Sequence, residues 1–264
     1  MYNIAPPLKL ALIGFLSVHL FMVGGWLASL KLKDASIVDR LWGLNFVLLA
    51  LIYLLCTNTL VARHYLILAL VTVWGIRLFH HIHTRNRGYA EDYRYQKMRR
   101  QHGKHFWWYS FFSVFFLQGT LSWLISAPIF WIFAHTNTSL SYIDSLAFLV
   151  WCLGFYFEAV GDLQLKKFKA DPKNKGQLLT QGLWSLCRHP NYFGDALQWW
   201  ALFLFALGVP GGWQSCFGPL IMSIFLRYIS GVTLLEKNLR HSKPDYAAYI
   251  ANTPAFIPKC KFRL

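Results

Sequence analysis

The sequence predicts an all-α membrane protein with about seven transmembrane helices. Three observations carry that expectation. More than half of the residues are hydrophobic, yet the formal charge is +15. Apolar runs of about 20 residues, long enough to cross a bilayer core, recur along the chain. The basic residues fall mainly between those runs. A soluble protein of this charge would present a nucleic-acid surface. Here the spacing makes the charge a topology signal, and no nucleic-acid partner is expected.

The first apolar run, 8–30, lacks a small-residue cleavage signature and is expected to stay as a span. The second, 38–56, opens at Asp39, a residue suited to capping a helix start. The third covers 64–83, and the fourth, 108–134, contains Pro128, which predicts a kink. The fifth is 142–160. The sixth, 193–209, is the shortest and is bounded by Pro210-Gly211-Gly212, a tight-turn signal. With the seventh, 214–234, it predicts a hairpin. No repeat is visible, and no polar stretch is long enough for a separate soluble domain. The chain therefore reads as a single transmembrane domain over 1–264. The twelve tryptophans suit interfacial belts.

With the N-terminus outside, the inner segments are 31–40, 77–105, 161–190 and 227–264. They hold 3, 8, 6 and 7 Lys and Arg residues. Only Lys9 and Arg63, of 26 in all, lie elsewhere. The positive-inside rule then predicts a multi-pass integral membrane protein with a cytoplasmic C-terminus. Merging two helices into a six-span arrangement would destroy this asymmetry. The outer connections are short, whereas the inner ones carry acids, histidines and aromatics beside the bases. Function is expected on the inner face.

Five patterns there have chemical potential. Arg188-His189-Pro190-Asn191-Tyr192-Phe193-Gly194-Asp195 stands at the start of the sixth helix. Pro190 favours a turn at His189. Asp195 would lie in or near the first helical turn, where the dipole favours a carboxylate. Arg188 is a planar, permanent cation suited to phosphate or carboxylate, and Asn191 both donates and accepts. A polar cap with a snorkelling Arg is the plainer alternative. Glu158 and Asp162 share a helical face, followed by Lys166, Lys167 and Lys169. They form either a headgroup-level salt-bridge set or a functional pair of acids. Asp39, Trp42 and Asn45 form a stripe that could line a pocket within the bundle, with Asp39 otherwise an N-cap. Glu91-Asp92-Tyr93-Arg94-Tyr95 suits either a surface amphipathic helix or a segment closing over a ligand. Arg227, in an apolar helix, needs a partner: Glu236, Asp195 or a bound phosphate.

Several chemistries are not expected. Cys56, Cys152, Cys187, Cys216 and Cys260 are scattered, with no zinc or disulfide spacing. His80, His81 and His83 lack a second ligand cluster, so no metal is expected. No Gly-x-Gly-x-x-Gly follows a strand and there is no Walker loop, so a nucleotide would have to be held inside the helical bundle.

Gly182-Leu183-Trp184 followed by Arg188 through Asp195 resembles the C-terminal signature of steroid 5α-reductases and C14 sterol reductases. Glu236, Tyr246, Tyr249 and Ile257-Pro258 are similar too. The second-helix segment and the 91–95 run look like a bacterial branch of that family. The resemblance is strongest over about 158–258. It implies a seven-helix reductase in a bacterial inner membrane, binding NADPH between helices from the inner side. Hydride would go to the β-carbon of a lipophilic enone, steroid-like or isoprenoid-like. The family's cofactor-contacting Asn and acid fall on Asn191 and Asp195, its acid after the fifth helix on Asp162, a following base on Lys169, and its last-helix Arg on Arg227. Arg188, His189, Tyr192 and Glu236 complete the expected cofactor set. The steroid enzymes carry a Gln-Glu pair in the second helix, where this chain has Asp39, Trp42 and Asn45, the residues expected to act on the substrate carbonyl. The Arg-His-Pro-x-Tyr pattern also resembles isoprenylcysteine and phospholipid methyltransferases, which use S-adenosylmethionine. A non-catalytic lipid-binding protein is the third alternative.

Overall fold

A computed structural model describes residues 7–135, 139–229, 231–243 and 245–259. Cys260 lies outside the described residues. All regular elements among them are helical. The chain divides into two compact units, residues 1–140 with 209–215 and residues 141–208 with 216–264.

The first unit is built on α1 (Pro7–Leu32), α2 (Ile37–Cys56) and α3 (Ala62–Asn86). Helix α2 packs against both of the others, and small residues set the spacing. A Cβ on Gly43 would stand 2.8 Å from the carbonyl oxygen of Gly75, so α2 and α3 touch backbone to backbone. At the far end of α2 the Tyr53 ring lies over Gly14 of α1, where a Cβ would meet its hydroxyl at 2.5 Å. Phe46, Leu49 and Ala50 complete the fully buried face of α2.

After α3 a turn leads to α4 (Tyr93–His102), capped by Asp92, whose carboxylate accepts from the Arg94 backbone N–H. Then follow α5 (Phe106–Ser110), a π-helical stretch (Phe111–Phe116) and α6 (Leu117–Ile125). Next comes α7 (Ala127–Phe133), with Pro128 in its first turn. The break falls at Ser126, and the two sides are bent by 51°. Proline has no N–H to give to the preceding turn, so the kink expected at Pro128 appears just before it.

The second unit is dominated by α8 (Tyr142–Ala170) lying along α9 (Pro190–Leu207). Helix α8 opens with a capping box, in which Asp144 accepts from the Ser141 backbone N–H at 2.7 Å. A Cβ on Gly194 would run into the Gly154 carbonyl and the Glu158 amide, and one on Gly154 would stand 2.7 Å from the Gly194 carbonyl. The two backbones are therefore in direct contact. The unit continues through α10 (Phe217–Ile224), a π-helical turn (Phe225–Ile229), α11 (Val232–Ser242) and α12 (Tyr246–Asn252).

Four helices, α1, α2, α3 and α8, are long and apolar enough to cross a membrane, and a fifth span results if the bent stretch from Tyr93 to Phe133 is one crossing. Helix α9, 18 residues long, occupies the expected sixth run but is less apolar than those four, and α10, in the seventh run, has 8 residues.

Candidate functional site

In the first unit, Asp39 is the centre of a polar group. Ser36 occupies the N-cap of α2 and Asp39 sits one turn in, so the capping role expected of Asp39 is not what the structure shows. Its carboxylate instead accepts from Arg94 at 2.7 Å and from the Tyr95 hydroxyl at 2.7 Å. The Arg94 Nε also donates to Asp92 at 2.9 Å. Burial alone would raise the Asp92 carboxyl, but hydrogen bonds from the Arg94 side chain and backbone hold it below the usual carboxylate range. Glu91 accepts from Arg99 at 2.8 Å and from the backbone N–H of Ala35 at 2.8 Å. The Glu91–Tyr95 run is thus folded back onto the start of α2. Its continuation α4 keeps one face exposed, at Tyr93, Lys97 and Arg100.

Deeper in the same unit Asn45 is fully buried, and its Nδ2 donates to Ser122 Oγ at 2.9 Å. Its Oδ1 is buried with no hydrogen-bond partner among the described residues. Such an orphaned acceptor costs about 1–3 kcal/mol, so the site suits a group that can donate to it. Trp42 packs edge-on against Phe46, with centroids 5.4 Å apart. Asp39 and Asn45 thus both belong to polar contacts of α2, while Trp42 is engaged with an aromatic neighbour. Tyr95, 4 % exposed, joins them, and Gln118 of α6 lies 3.5 Å from its hydroxyl. Sequence reasoning singled out the run containing Tyr95 but gave this residue no role. The scarcity of acids was the available signal: with 11 against 26 bases, each acid among the bases is a meeting point.

In the second unit, the α8–α9 contact brings together residues 29 and 40 positions apart. Asn191 Nδ2 donates to Asp162 Oδ1 at 2.9 Å, and Gln198 Nε2 donates to Glu158 Oε2 at 2.6 Å. Glu158, Asp162, Asp195 and Gln198 are all buried. Asn191 Oδ1 and Gln198 Oε1 are buried and lack a hydrogen-bond partner among the described residues. Asp195 is the sixth residue of α9, beyond the first turn, which holds no acid. Gln198 was missed from sequence. It stands one turn after Gly194 and Asp195 on the same α9 face, a spacing that could have flagged it.

Arg188, His189 and Glu236 form a separate group. Arg188 donates through Nε at 2.9 Å and Nη2 at 2.8 Å to Glu236 Oε1, and His189 Nε2 lies 3.2 Å from the same oxygen. Arg188 Nη1 reaches the carbonyls of Ile250 and Thr253, and its backbone N–H donates to Pro254 at 2.9 Å. Lys259 N–H returns to Leu186, and the Tyr249 hydroxyl donates to the Trp184 carbonyl at 2.5 Å. The motif therefore ties down the C-terminal segment. Burial alone would raise the Glu236 carboxyl, but hydrogen bonds from His189 and Arg188 pull it down to about 2. Burial lowers His189, more than Glu236 raises it, so the ring is neutral at pH 7. Burial pushes the Cys187 thiol up to about 12, which leaves it unreactive.

Three further expected residues are Tyr192, Arg227 and Lys169. Tyr192 stacks on His189, with centroids 5.8 Å apart. Arg227 lies in the π-helical turn with its guanidinium 5.0 Å over the Tyr228 ring; of the partners expected for it, Glu236 is held by Arg188. Lys169 is exposed near the end of α8. Among the described residues, no three His, Cys, Asp or Glu side chains are gathered so that they could hold a metal ion.

Comparison with known proteins gives relatives of mixed character. An uncharacterized protein of Schizosaccharomyces pombe is 29% identical over 215 residues, 70% of this chain and 62% of the relative. The Delta(14)-sterol reductase of the same organism is 29% identical over 145 residues, 50% of this chain and 32% of the relative. A probable O-methyltransferase of Ustilaginoidea virens is 47% identical over 45 residues, 17% of this chain and 16% of the relative. The chain covers less than two-thirds of the length of each. No solved structure gives a significant match. Residues 25–253, most of the chain, match one family, and the chain belongs to it: Protein of unknown function (DUF1295).

Proposed function

We propose that the protein is a membrane-embedded, NADPH-dependent reductase of a lipophilic enone, steroid-like or isoprenoid-like. The proposal includes seven crossings with the N-terminus outside, in a bacterial inner membrane. The observation that carries it is the buried α8–α9 seam, where Asn191 Oδ1 and Gln198 Oε1 await donors. The distant likeness to a sterol reductase supports the reductase reading.

The residues fit the cofactor by chemistry. Unsatisfied carboxamide oxygens accept from ribose hydroxyls or a nicotinamide amide. The carboxylates of Glu158, Asp162 and Asp195 disfavour phosphate there. Phosphates would fall to the lysines at the end of α8 and to Arg227. Arg188, bound to Glu236, acts in this reading by holding the turn that leads into α9 and Asn191. NADPH, when bound, supplies the hydride.

In this reading the polar residues of α2 and α4 act on the substrate. As hydride reaches the β-carbon, negative charge develops on the carbonyl oxygen. The Tyr95 hydroxyl, turned from Asp39, would donate to such an oxygen, with the Arg94 guanidinium over its ring. A proton from water then reaches the neighbouring carbon, so one hydride and one proton add across the double bond. Asn45 accepts from a donor group of the substrate.

The test is equilibrium binding of NADPH to the purified full-length protein in mild detergent. Saturable binding, lost in Asn191→Ala and Arg227→Ala while the helical circular dichroism signal is retained, is expected. Absence of saturable binding overturns the reading. The short stretch of 47% identity to an O-methyltransferase favours a second one, S-adenosylmethionine-dependent methyl transfer. Saturable binding of S-adenosylmethionine with none of NADPH selects it.

A further inference from the structure

Helix α4 has two faces of unlike electrostatics. On one, every base is answered: Arg94 by Asp39 and Asp92, and Arg99 by Glu91. That face is also packed, with Arg99 4.4 Å over Phe106 and His102 stacked on Tyr109 at 3.5 Å. On the other, Tyr93, Lys97 and Arg100 are exposed, and Lys104 follows in the next short turn, also exposed. Lys97 and Arg100 are three apart on one face of the helix, and Lys104 follows just past the break at Gly103. Among the described residues none of the three makes an ion pair. The acids of this segment are already committed to the opposite face.

Aromatic residues border these cations. Tyr93 is 51% exposed, Trp107 54% and Trp108 43%. The backbone carbonyl of Trp107 accepts from Trp26 Nε1 of α1 at 2.9 Å, which fixes this edge against a long apolar helix. Beyond it, Phe112 and Phe116 are exposed on the apolar stretch that follows. Cations, then indoles, then apolar rings is the order met on passing from the headgroups of a bilayer into its hydrocarbon.

We propose that Lys97, Arg100 and Lys104 form a binding surface for the phosphate of anionic phospholipid headgroups, with Trp107 and Trp108 at the acyl boundary. A lipid is favoured over a free anion because the indoles and the apolar helix continue directly from the cations, and a soluble phosphate would use only the cations. The acids facing the inner side of α4 are Asp39, Glu91 and Asp92, and their pairing with Arg94 and Arg99 holds the helix in this orientation.

The test uses the full chain in phosphatidylcholine vesicles containing spin-labelled phosphatidylglycerol or spin-labelled phosphatidylcholine. The expected result is a larger motionally restricted fraction for phosphatidylglycerol. The preference should shrink by up to roughly fivefold for each cation removed by Lys97→Gln, Arg100→Gln and Lys104→Gln. Lys173→Gln with Lys175→Gln, exposed lysines of the second unit, should leave most of it. If the triple variant misfolds, the single variants must each lower the preference. Equal restriction of the two lipids overturns the proposal, as does a preference that survives the triple variant or falls equally in the control. Saturable binding of inorganic phosphate by detergent-solubilised protein, at the same three residues, would show a free-anion site instead.

Discussion

Arg188 and Glu236 meet at 2.8 Å, with both side chains about nine-tenths buried, although 48 residues separate them in sequence. The pair joins the loop before α9 to α11, and the spare guanidinium nitrogen holds the carbonyls of the C-terminal segment. Removing one partner leaves a buried charge unanswered. Glu236→Ala should therefore destabilise the second unit by about 3–5 kcal/mol. Thermal unfolding in detergent measures this, and hydrogen exchange over 250–259 should rise in the same variant. Glu236→Gln keeps an acceptor and should cost less.

The same group sets an acid response. Glu236 is held at about 2, below its ordinary 4.5, so its contribution is complete above pH 4.5 and is lost as pH falls toward 2. His189 is also lowered, so the unfolded chain takes up its proton first, and stability begins to decline below about pH 6.5. Protection of the C-terminal segment from proteolysis should fall in that order. His189→Gln should remove the upper part of the response and leave the lower.

Gly194→Ala places a methyl group against the backbone of α8, which cannot rotate away as a side chain can. Overpacking of this kind costs about 1–3 kcal/mol. A lower midpoint of thermal unfolding is expected, with a smaller effect for Gly24→Ala, where nothing lies within 4 Å.

Tyr95→Phe removes the hydroxyl between Asp39 and Gln118 while Arg94 keeps its two carboxylates. The loss in stability should be about 1 kcal/mol. Under the reductase reading turnover should fall by about 10²–10³-fold, the cost of losing one oxyanion donor. The affinity for NADPH should be unchanged. Equal loss of affinity and turnover would place Tyr95 outside the chemistry.

The long apolar runs were legible because a membrane span announces itself by length and composition. The starts of α1, α2, α3 and α8 fall within two residues of the expected ones. The break at Ser126 was legible from Pro128. Less visible were features made by distant pairs. Nothing local in Arg188-His189-Pro190 indicates that its arginine faces a glutamate in α11, and the motif itself suggests an anion site. Asp39 reads locally as a cap, and only the fold supplies Arg94 and Tyr95 from more than fifty residues away. Glu158 and Asp162 were legible as a same-face pair, but their carboxamide partners come from another helix.

The backbone contact at Gly154 and Gly194 has a mechanical consequence. Two helices that touch without intervening side chains have no lubricating layer, so sliding or rolling one against the other is blocked. The acids of α8 and the carboxamides of α9 therefore travel as one plate. The C-terminal segment is the looser margin of this unit, held by the Arg188 guanidinium and by hydrogen bonds to the carbonyls of Leu186 and Trp184. That margin can move while the plate stays fixed.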